Sequence, residues 1–401
     1  MSVLSGKKIL LGISGGIAAY KTPFIVRILK SFEADVRVIM TPAAKEFVSS
    51  LTLSTLSENP VLSTFTQTSN DNPVWNNHVE LGKWADIFIV APATSNTISA
   101  MVNAKCDNIL IATYLSCTAK VYVVPAMDLD MMNHSANQSN LKKLKSLVKK
   151  VLPVGKGFLA SGLYGKGRML EPEEIIKFIE QDTLENLPLF KKNILVTAGP
   201  TFEPIDPVRF IGNHSSGKMG FALAEEAAKL GAEVTLITGP TAVSTNYKIE
   251  IINVVTAEQM FREVNKNFDK TDIVIASAAV SDFKPKDYKK YKIKKENNLE
   301  SIKLEPTKDI LSWMGKNKKQ KFLVGFALET NDEVNCALKK LRSKNLDLII
   351  MNSLNEPGAG FSIDTNKVSS INKKEEIIKF ELKSKKGVAK DIFSQILKEH
   401  A

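Results

Sequence analysis

Several short stretches of the sequence place small and hydrogen-bonding residues where a strand runs into a helix. In GISGGIAAYK, Ser14, Gly15 and Gly16 follow an apolar run. Backbone N–H groups at a helix N-terminus, with a hydroxyl beside them, suit a phosphate. A ligand-free βα turn looks the same, and the stretch lacks both the longer dinucleotide glycine pattern and the P-loop lysine. NAD and ATP are therefore not its natural reading. APATSNT packs Thr94, Ser95, Asn96 and Thr97 into one turn. Such side chains edge a ligand, and equally they cap a following helix. His78, in NNHVEL, is a lone histidine after a polar loop, a candidate base or a structural residue. GFLASGLYGKGRML, residues 157–170, sets four glycines around Ser161 and Arg168 and reads as a shaped loop rather than a helix or strand interior.

The second half offers a different chemistry. TAGPTFEPIDPVRFIGNHSSGKMG leads from a strand through Asn213, Ser215, Ser216, Gly217 and Lys218 into a helix, which makes an anion cradle or a flexible N-cap. SAAVSDFKPKDYKKYKIKK puts Asp282 at a strand end, followed by seven lysines from Lys284 to Lys295. Such a run is a solvated face or, beside that strand end, a lid over a triphosphate. Lys340 and Lys344 are four apart and share a helix face.

The elements that must hold these residues are short apolar strands alternating with helices. DVRVIM, ADIFIVAPAT and KVYVVPAM follow the first strand; the pattern restarts at KNILVTAGP and continues through AEVTLITGPT, DIVIASAAVSDF, KFLVGFALET and LDLIIMNS. This alternation predicts α/β architecture with parallel sheets covered on both faces, as two doubly wound domains meeting near residue 190. Ligands of such sheets sit outside the carboxyl ends of the strands, where the motifs fall. The polar stretch FIEQDTLENLPLFKK reads as the linker.

Composition narrows the classes. The N-terminus has no long apolar run, and no later stretch is apolar enough to span a bilayer, so no membrane partner is expected. Cys106, Cys117 and Cys336 show neither zinc nor disulfide spacing, which suits a reducing cytoplasm. The net charge is +11, with +3 from residues 1–185 and +8 from the remainder. Aromatic residues are sparse and no basic helix is interleaved with stacking side chains. Phosphorylated small molecules are expected rather than nucleic acid.

GISGGIAAYK, NNHVEL, APATSNT, PAMDLDM and the glycine stretch occur in the order seen in flavin-containing cysteine decarboxylases, and the first half resembles them. The motifs from TAGPTFEPID through KNLDLII resemble phosphopantothenate–cysteine ligases. The whole resembles the bifunctional enzymes of coenzyme A synthesis that fuse the two. The resemblance implies a flavodoxin-like flavin-binding domain of HFCD type over residues 1–188 and a Rossmann-like ligase domain over 189–401. It implies CTP-dependent coupling of 4'-phosphopantothenate to cysteine through an acyl cytidylate, with Mg2+, then FMN-dependent decarboxylation to 4'-phosphopantetheine. His78 becomes the active-site base; Ser14, Gly15, Gly16, Thr41, Ser95, Asn96 and Thr97 become FMN contacts. Asn213 meets the acyl-nucleotide intermediate. Ala278, Asp282, Lys292, Lys308, Asp309, Ile310, Leu311, Phe326, Lys340 and Lys344 take the nucleotide, Lys292 also acting in catalysis. Relatives of both halves are oligomers, so a homo-oligomer is expected.

Two positions depart from the decarboxylase pattern. Asp128 stands where an asparagine binds the substrate carboxylate, and two carboxylates repel unless one carries a proton. Ser161 stands where a cysteine donates the last proton, and a hydroxyl is a far weaker acid than a thiol. The resemblance thus leaves three readings: a full bifunctional enzyme, an active ligase fused to an inactive or oxidative-only flavin half, and a non-catalytic flavoprotein that regulates a partner.

Overall fold

The computed structural model describes residues 2–69, 72–148, 150–294, 301–329, 332–353 and 363–400; Lys295, the last of the seven lysines, lies outside them. The chain divides into two units, Met1–Leu184 and Glu185–Ala401.

The first unit is built on six parallel strands: Lys8–Ile13, Asp35–Met40, Val61–Leu62, Ile87–Ala93, Lys120–Pro125 and Lys150–Val151. Numbered along the chain, they lie side by side in the order 3-2-1-4-5-6. Strand side chains alternate between faces. Ile9, Leu11 and Ile13 therefore pack with Ile25, Val26 and Leu29 of helix Thr22–Ser31 and with Ile175, Ile176 and Ile179 of helix Pro172–Glu185. Leu10, with Phe88 and Val90, faces Ile98, Met101, Leu110 and Ile111 on the other side. Burial on both faces explains why these strands read as unbroken apolar runs.

The second unit repeats the plan. Asn193–Ala198, Glu233–Thr238, Glu250–Asn253, Ile273–Ala276, Phe322–Glu329 and Leu348–Ser353 are parallel in the same 3-2-1-4-5-6 order. Val368–Asn372 and Ile377–Lys379 extend that sheet antiparallel. Helices Lys218–Lys229 and Lys385–His400 bury Leu223, Ala224, Ile392 and Phe393 on one face. Helices Ala257–Phe268, Ile310–Asn317 and Glu333–Ser343 bury Met260, Val264, Met314 and Leu341 on the other. Among the described residues, no helix is long and apolar enough to cross a membrane.

Three details sharpen the sequence reading. The doubly wound layers are as expected, but the flavin-type half follows the order of dinucleotide-binding sheets rather than the 2-1-3-4-5 of flavodoxins. After Asp35–Met40 the chain adds Val61–Leu62 on the same side before crossing over. The glycine stretch is not an unpaired loop. Gly155–Phe158 and Tyr164–Arg168 form an antiparallel hairpin in which the bare Gly157 leaves room for the Arg168 side chain. The polar linker is also shorter than expected, because helix Pro172–Glu185 runs through its first half. Asp182 is buried there, accepting from the Tyr122 hydroxyl at 2.6 Å and pairing with Lys120 and Lys150.

Candidate functional site

Each sheet reverses strand order between its first and fourth strands, and a cavity opens at the carboxyl ends beside each reversal. In the first unit, Ser14 ties the two strand ends together. Its buried hydroxyl donates to Pro92 O at 2.6 Å and accepts from Thr94 N at 3.1 Å. This leaves Gly15 and Gly16 to face the cavity. A Cβ on Gly15 would lie 2.7 Å from that of Ala43, so this floor accepts only glycine. Thr94 caps helix Ser95–Val102 by accepting from Thr97 N, which presents Ser95 and Asn96 at its first turn.

The cavity measures about 650 Å3, within the range that encloses a cofactor. Gly15, Gly16, Ser95 and Asn96 line its polar end; Met127, Met131, Phe158 and Leu159 line an apolar wall beside Asp128. A glycine floor at a helix N-terminus, facing an apolar wall, fits a phosphate-bearing flavin. Two cations unforeseen as ligand contacts also line the cavity. Lys21 is buried and donates to Glu171 Oε1 at 2.7 Å and to Met169 O at 3.1 Å; Arg168 donates to the same Glu171 oxygen at 3.3 Å. Lys21 ends the GISGGIAAYK motif, which was the available signal.

Other expected residues lie off this wall. Ser14 and Thr97 are buried one layer behind it. Thr41, at the end of Asp35–Met40, buries a hydroxyl oxygen that has no partner among the described residues. His78 begins helix His78–Trp84 with its ring edge-on to Phe65 and Trp75 at 5.9 Å, and its Nδ1 is likewise buried without a partner among them. Ser161 is exposed at the hairpin tip, its hydroxyl accepting from Leu163 N at 3.5 Å within the same turn. Neither His78 nor Ser161 reaches the cavity of its own chain.

In the second unit, Thr197 and the loop after Ile273–Ala276 hold the reversal together. Ser277 Oγ donates to Thr197 O at 2.7 Å, and Ser281 N donates to Thr201 Oγ1 at 2.9 Å. Two cavities flank this loop. One, of about 690 Å3, is lined by Ala278, Asp282, Lys308, Asp309, Ile310, Leu311, Phe326, Lys340 and Lys344. The other, of about 550 Å3, is lined by Asn213, Ser215, Ser216, Gly217 and Lys218. Ala278, Val280, Asp282, Phe326 and Lys340 face both. Asn213 donates to Val280 O at 3.0 Å and Ala279 O at 3.3 Å, which fixes its loop beside that shared wall.

The charges of the larger cavity are set in place. Lys340 donates to Phe326 O at 2.9 Å. Asp309 caps helix Ile310–Asn317 by accepting from Ser312 N at 2.7 Å and pairs with Lys344. Burial pushes the Asp309 carboxyl up, but the Lys344 ammonium and the Ser312 N–H outweigh it and hold it below the usual range. Lys308 pairs with Glu258 at 3.3 Å and lies over the Phe261 ring at 4.5 Å. Lys339, not singled out in the sequence, also lines this larger cavity.

Lys292 lies in neither cavity and is exposed. Its neighbour Ile293 is buried and clamped on both sides: its N–H donates to Asp206 Oδ2 at 3.1 Å, and its carbonyl accepts from Arg209 at 3.2 Å. Asp206 also accepts from Val208 N and Arg209 N. Burial raises its carboxyl, but these N–H groups and the Arg209 guanidinium hold it below the usual carboxylate range. A depressed carboxyl contributes stability above its unfolded value, about 4, and loses that contribution as pH falls through its folded value. The lysine segment should therefore hold its place down to about pH 4 and loosen as pH falls further. Asp206→Asn should loosen it at pH 7, read as faster hydrogen exchange in peptides containing Ile293. Unchanged exchange would remove the clamp from the account.

The comparisons agree with this division. Residues 2–184 match the family model described as "Flavoprotein", and residues 189–400 match "DNA/pantothenate metabolism flavoprotein C-terminal domain". A coenzyme A biosynthesis bifunctional protein CoaBC of Bacillus subtilis is 42% identical over 398 residues, covering 98% of this chain and 97% of that one. A cysteine/cysteine sulfinic acid decarboxylase of an unknown prokaryotic organism is 48% identical over 356 residues, covering 87% of this chain and 99% of the other. A crystal structure of the C-terminal domain of a coenzyme A biosynthesis bifunctional protein is 41% identical and covers 53% of this chain and 97% of that one, with a TM-score of 0.46. A flavoprotein unit followed by a pantothenate-metabolism unit, matched along nearly the full length of a bifunctional relative, makes this chain a member of the bifunctional coenzyme A biosynthesis family.

Proposed function

We propose that the chain couples 4'-phosphopantothenate to cysteine at the expense of CTP and then decarboxylates the product to 4'-phosphopantetheine. The observation that carries this reading is the wall shared by the two cavities of the second unit. The larger cavity takes CTP and its Mg2+, with Lys308, Lys339, Lys340 and Lys344 about the phosphates. The smaller takes the acid. The acid's carboxylate oxygen attacks the α-phosphate at Ala278, Asp282 and Lys340 and expels pyrophosphate, giving an acyl cytidylate from which the cysteine amine displaces CMP. Cations at that point spread the charge that develops on phosphorus. Asn213 holds the loop at this junction, and Lys292 acts there when its segment is released from the Asp206 clamp.

In the first unit, FMN is the cofactor and supplies hydride acceptance and return. Gly15, Gly16, Ser95 and Asn96 hold its phosphate end, and Asp128, Arg168 and the hairpin orient the substrate. His78 serves as base from a second copy of the chain, which also covers Ile17 and Tyr20, each more than half exposed at the cavity, and the exposed Phe24. A homo-oligomer follows. Ser161 favours one alternative, an active ligase fused to an oxidative-only or inactive flavin half.

One assay separates the readings. Phosphopantothenate, cysteine, CTP and Mg2+ are supplied to the purified protein and the products weighed by mass spectrometry. Phosphopantetheine is expected. Accumulated phosphopantothenoylcysteine would defeat the decarboxylase assignment, and an enethiol product would establish the oxidative variant.

A further inference from the structure

The acid cavity contains a buried cation that no role so far uses. Lys385 opens helix Lys385–His400, and only 8% of the residue is exposed. It lines the 550 Å3 cavity with Asn213, Asn366 and Lys218, and it also lines a neighbouring space of about 360 Å3 with Lys386. Among the described residues its ammonium has no hydrogen bond or ion pair. Its backbone N–H donates to Asp364 O at 2.9 Å, while the Asp364 carboxylate pairs with Lys218 at 2.6 Å.

An ammonium on a residue this little exposed, without an ion pair among the described residues, is stabilised by an anion that joins it. Burial, and then the Lys218 charge, push the Lys385 ammonium below the usual lysine range; the pull of Asp364 does not restore it. The same cavity holds the N-terminus of the 12-residue helix Lys218–Lys229, capped by Gly217 in a left-handed conformation without a side-chain hydrogen bond. Cation and helix terminus act in the same sense. The lining of this cavity also includes Ala278, Asp282 and Lys340 of the wall shared with the larger cavity, assigned above to the nucleotide. On the ligase reading, an acid that brings its carboxylate to that wall leaves the rest of the molecule for the remaining lining, Lys385 among it.

We propose that Lys385 binds the phosphate end of the acid substrate and so makes the ligase select the phosphorylated acid over the free one. This rests on the ligase reading above. The test uses the full-length, flavin-loaded protein and its Lys385→Met and Lys385→Arg variants, titrated calorimetrically with 4'-phosphopantothenate, pantothenate and inorganic phosphate. Lys385→Met should weaken phosphopantothenate binding about 10- to 100-fold, the scale of a charge-assisted contact. Pantothenate binding and the KM for CTP should stay within about twofold, and Lys385→Arg should retain most of the affinity.

The unfolding temperature of ligand-free Lys385→Met should equal or exceed that of the parent, since a buried unpaired charge has been removed. Equal loss for both acids, a rise in KM for CTP alone, or no loss would each overturn the proposal. If the parent protein makes no phosphopantothenoylcysteine, the ligase reading fails but the site is still decided. Lys385-dependent binding of inorganic phosphate would support it, and its absence would overturn it.

Discussion

Replacing Lys340 with methionine is expected to lower ligase turnover about 100- to 1,000-fold, the scale on which removal of one preorganised charge acts at a reacting centre. The expectation comes from position. Lys340 faces both cavities of the second unit, at the wall where the proposed function brings nucleotide and acid together, and its ammonium is held by the hydrogen bond to Phe326 O. Methionine keeps much of the side-chain volume while removing charge and donor. Helix Glu333–Ser343 packs through Ala337 and Leu341, which the substitution leaves alone, so unfolding temperature and flavin content should not change.

Lys339→Met supplies the contrast. Lys339 lines the larger cavity, proposed above to take CTP, but not the shared wall, so its loss should raise the KM for CTP by about tenfold or less and leave kcat nearly intact. Steady-state kinetics on both variants decides the point. Equal losses would mean that Lys340 is one phosphate contact among several.

The first unit offers an equally large effect from a single methyl group. Gly167 has φ of 155°, and a Cβ there would lie 2.2 Å from Met127 O, a backbone atom with little room to retreat. Met127 N in turn donates to Gly167 O at 3.1 Å, and both residues line the flavin-type cavity. Gly167→Ala should therefore lift the hairpin from its seat at a cost of about 3 kcal/mol. Flavin should be lost on gel filtration, with a lowered unfolding temperature. Gly162→Ala tests the cause. Gly162 also has positive φ, 85°, but nothing lies within 4 Å of its Cβ position. That variant should bear only the backbone preference, about 1–2 kcal/mol, and keep its flavin. Full flavin in Gly167→Ala would show that the hairpin does not shape the cavity.

Much of this arrangement was legible before any coordinates, and the reason is physical. Strands buried on both faces are continuously apolar, so runs such as IFIVAPA and VYVVP announce both their type and their extent. Doubly wound sheets place their ligands at strand ends, as expected for Asp282; the resemblance to the ligases joined Ala278 and the TKDIL segment to it, and all of them line one cavity.

Other features depend on partners remote in the chain. Glycines at 157–170 read as loop because glycine has little intrinsic strand preference, yet the two arms pair with each other. Asp182 reads as linker, but Tyr122, Lys120 and Lys150 give it a buried place within a helix.

The amino-acid order alone determined the alternation of strands and helices and the segments that carry the chemistry, because hydrophobic period and backbone-specific residues act locally. Only the tertiary structure decided which charges are interior. Lys21 meets Glu171 across 150 positions of sequence, and Lys385 is buried against a cavity whose other residues begin at Gly199. A lysine's solvation is set by what folds around it, and that is a property of the packed chain rather than of the residue or its neighbours in sequence.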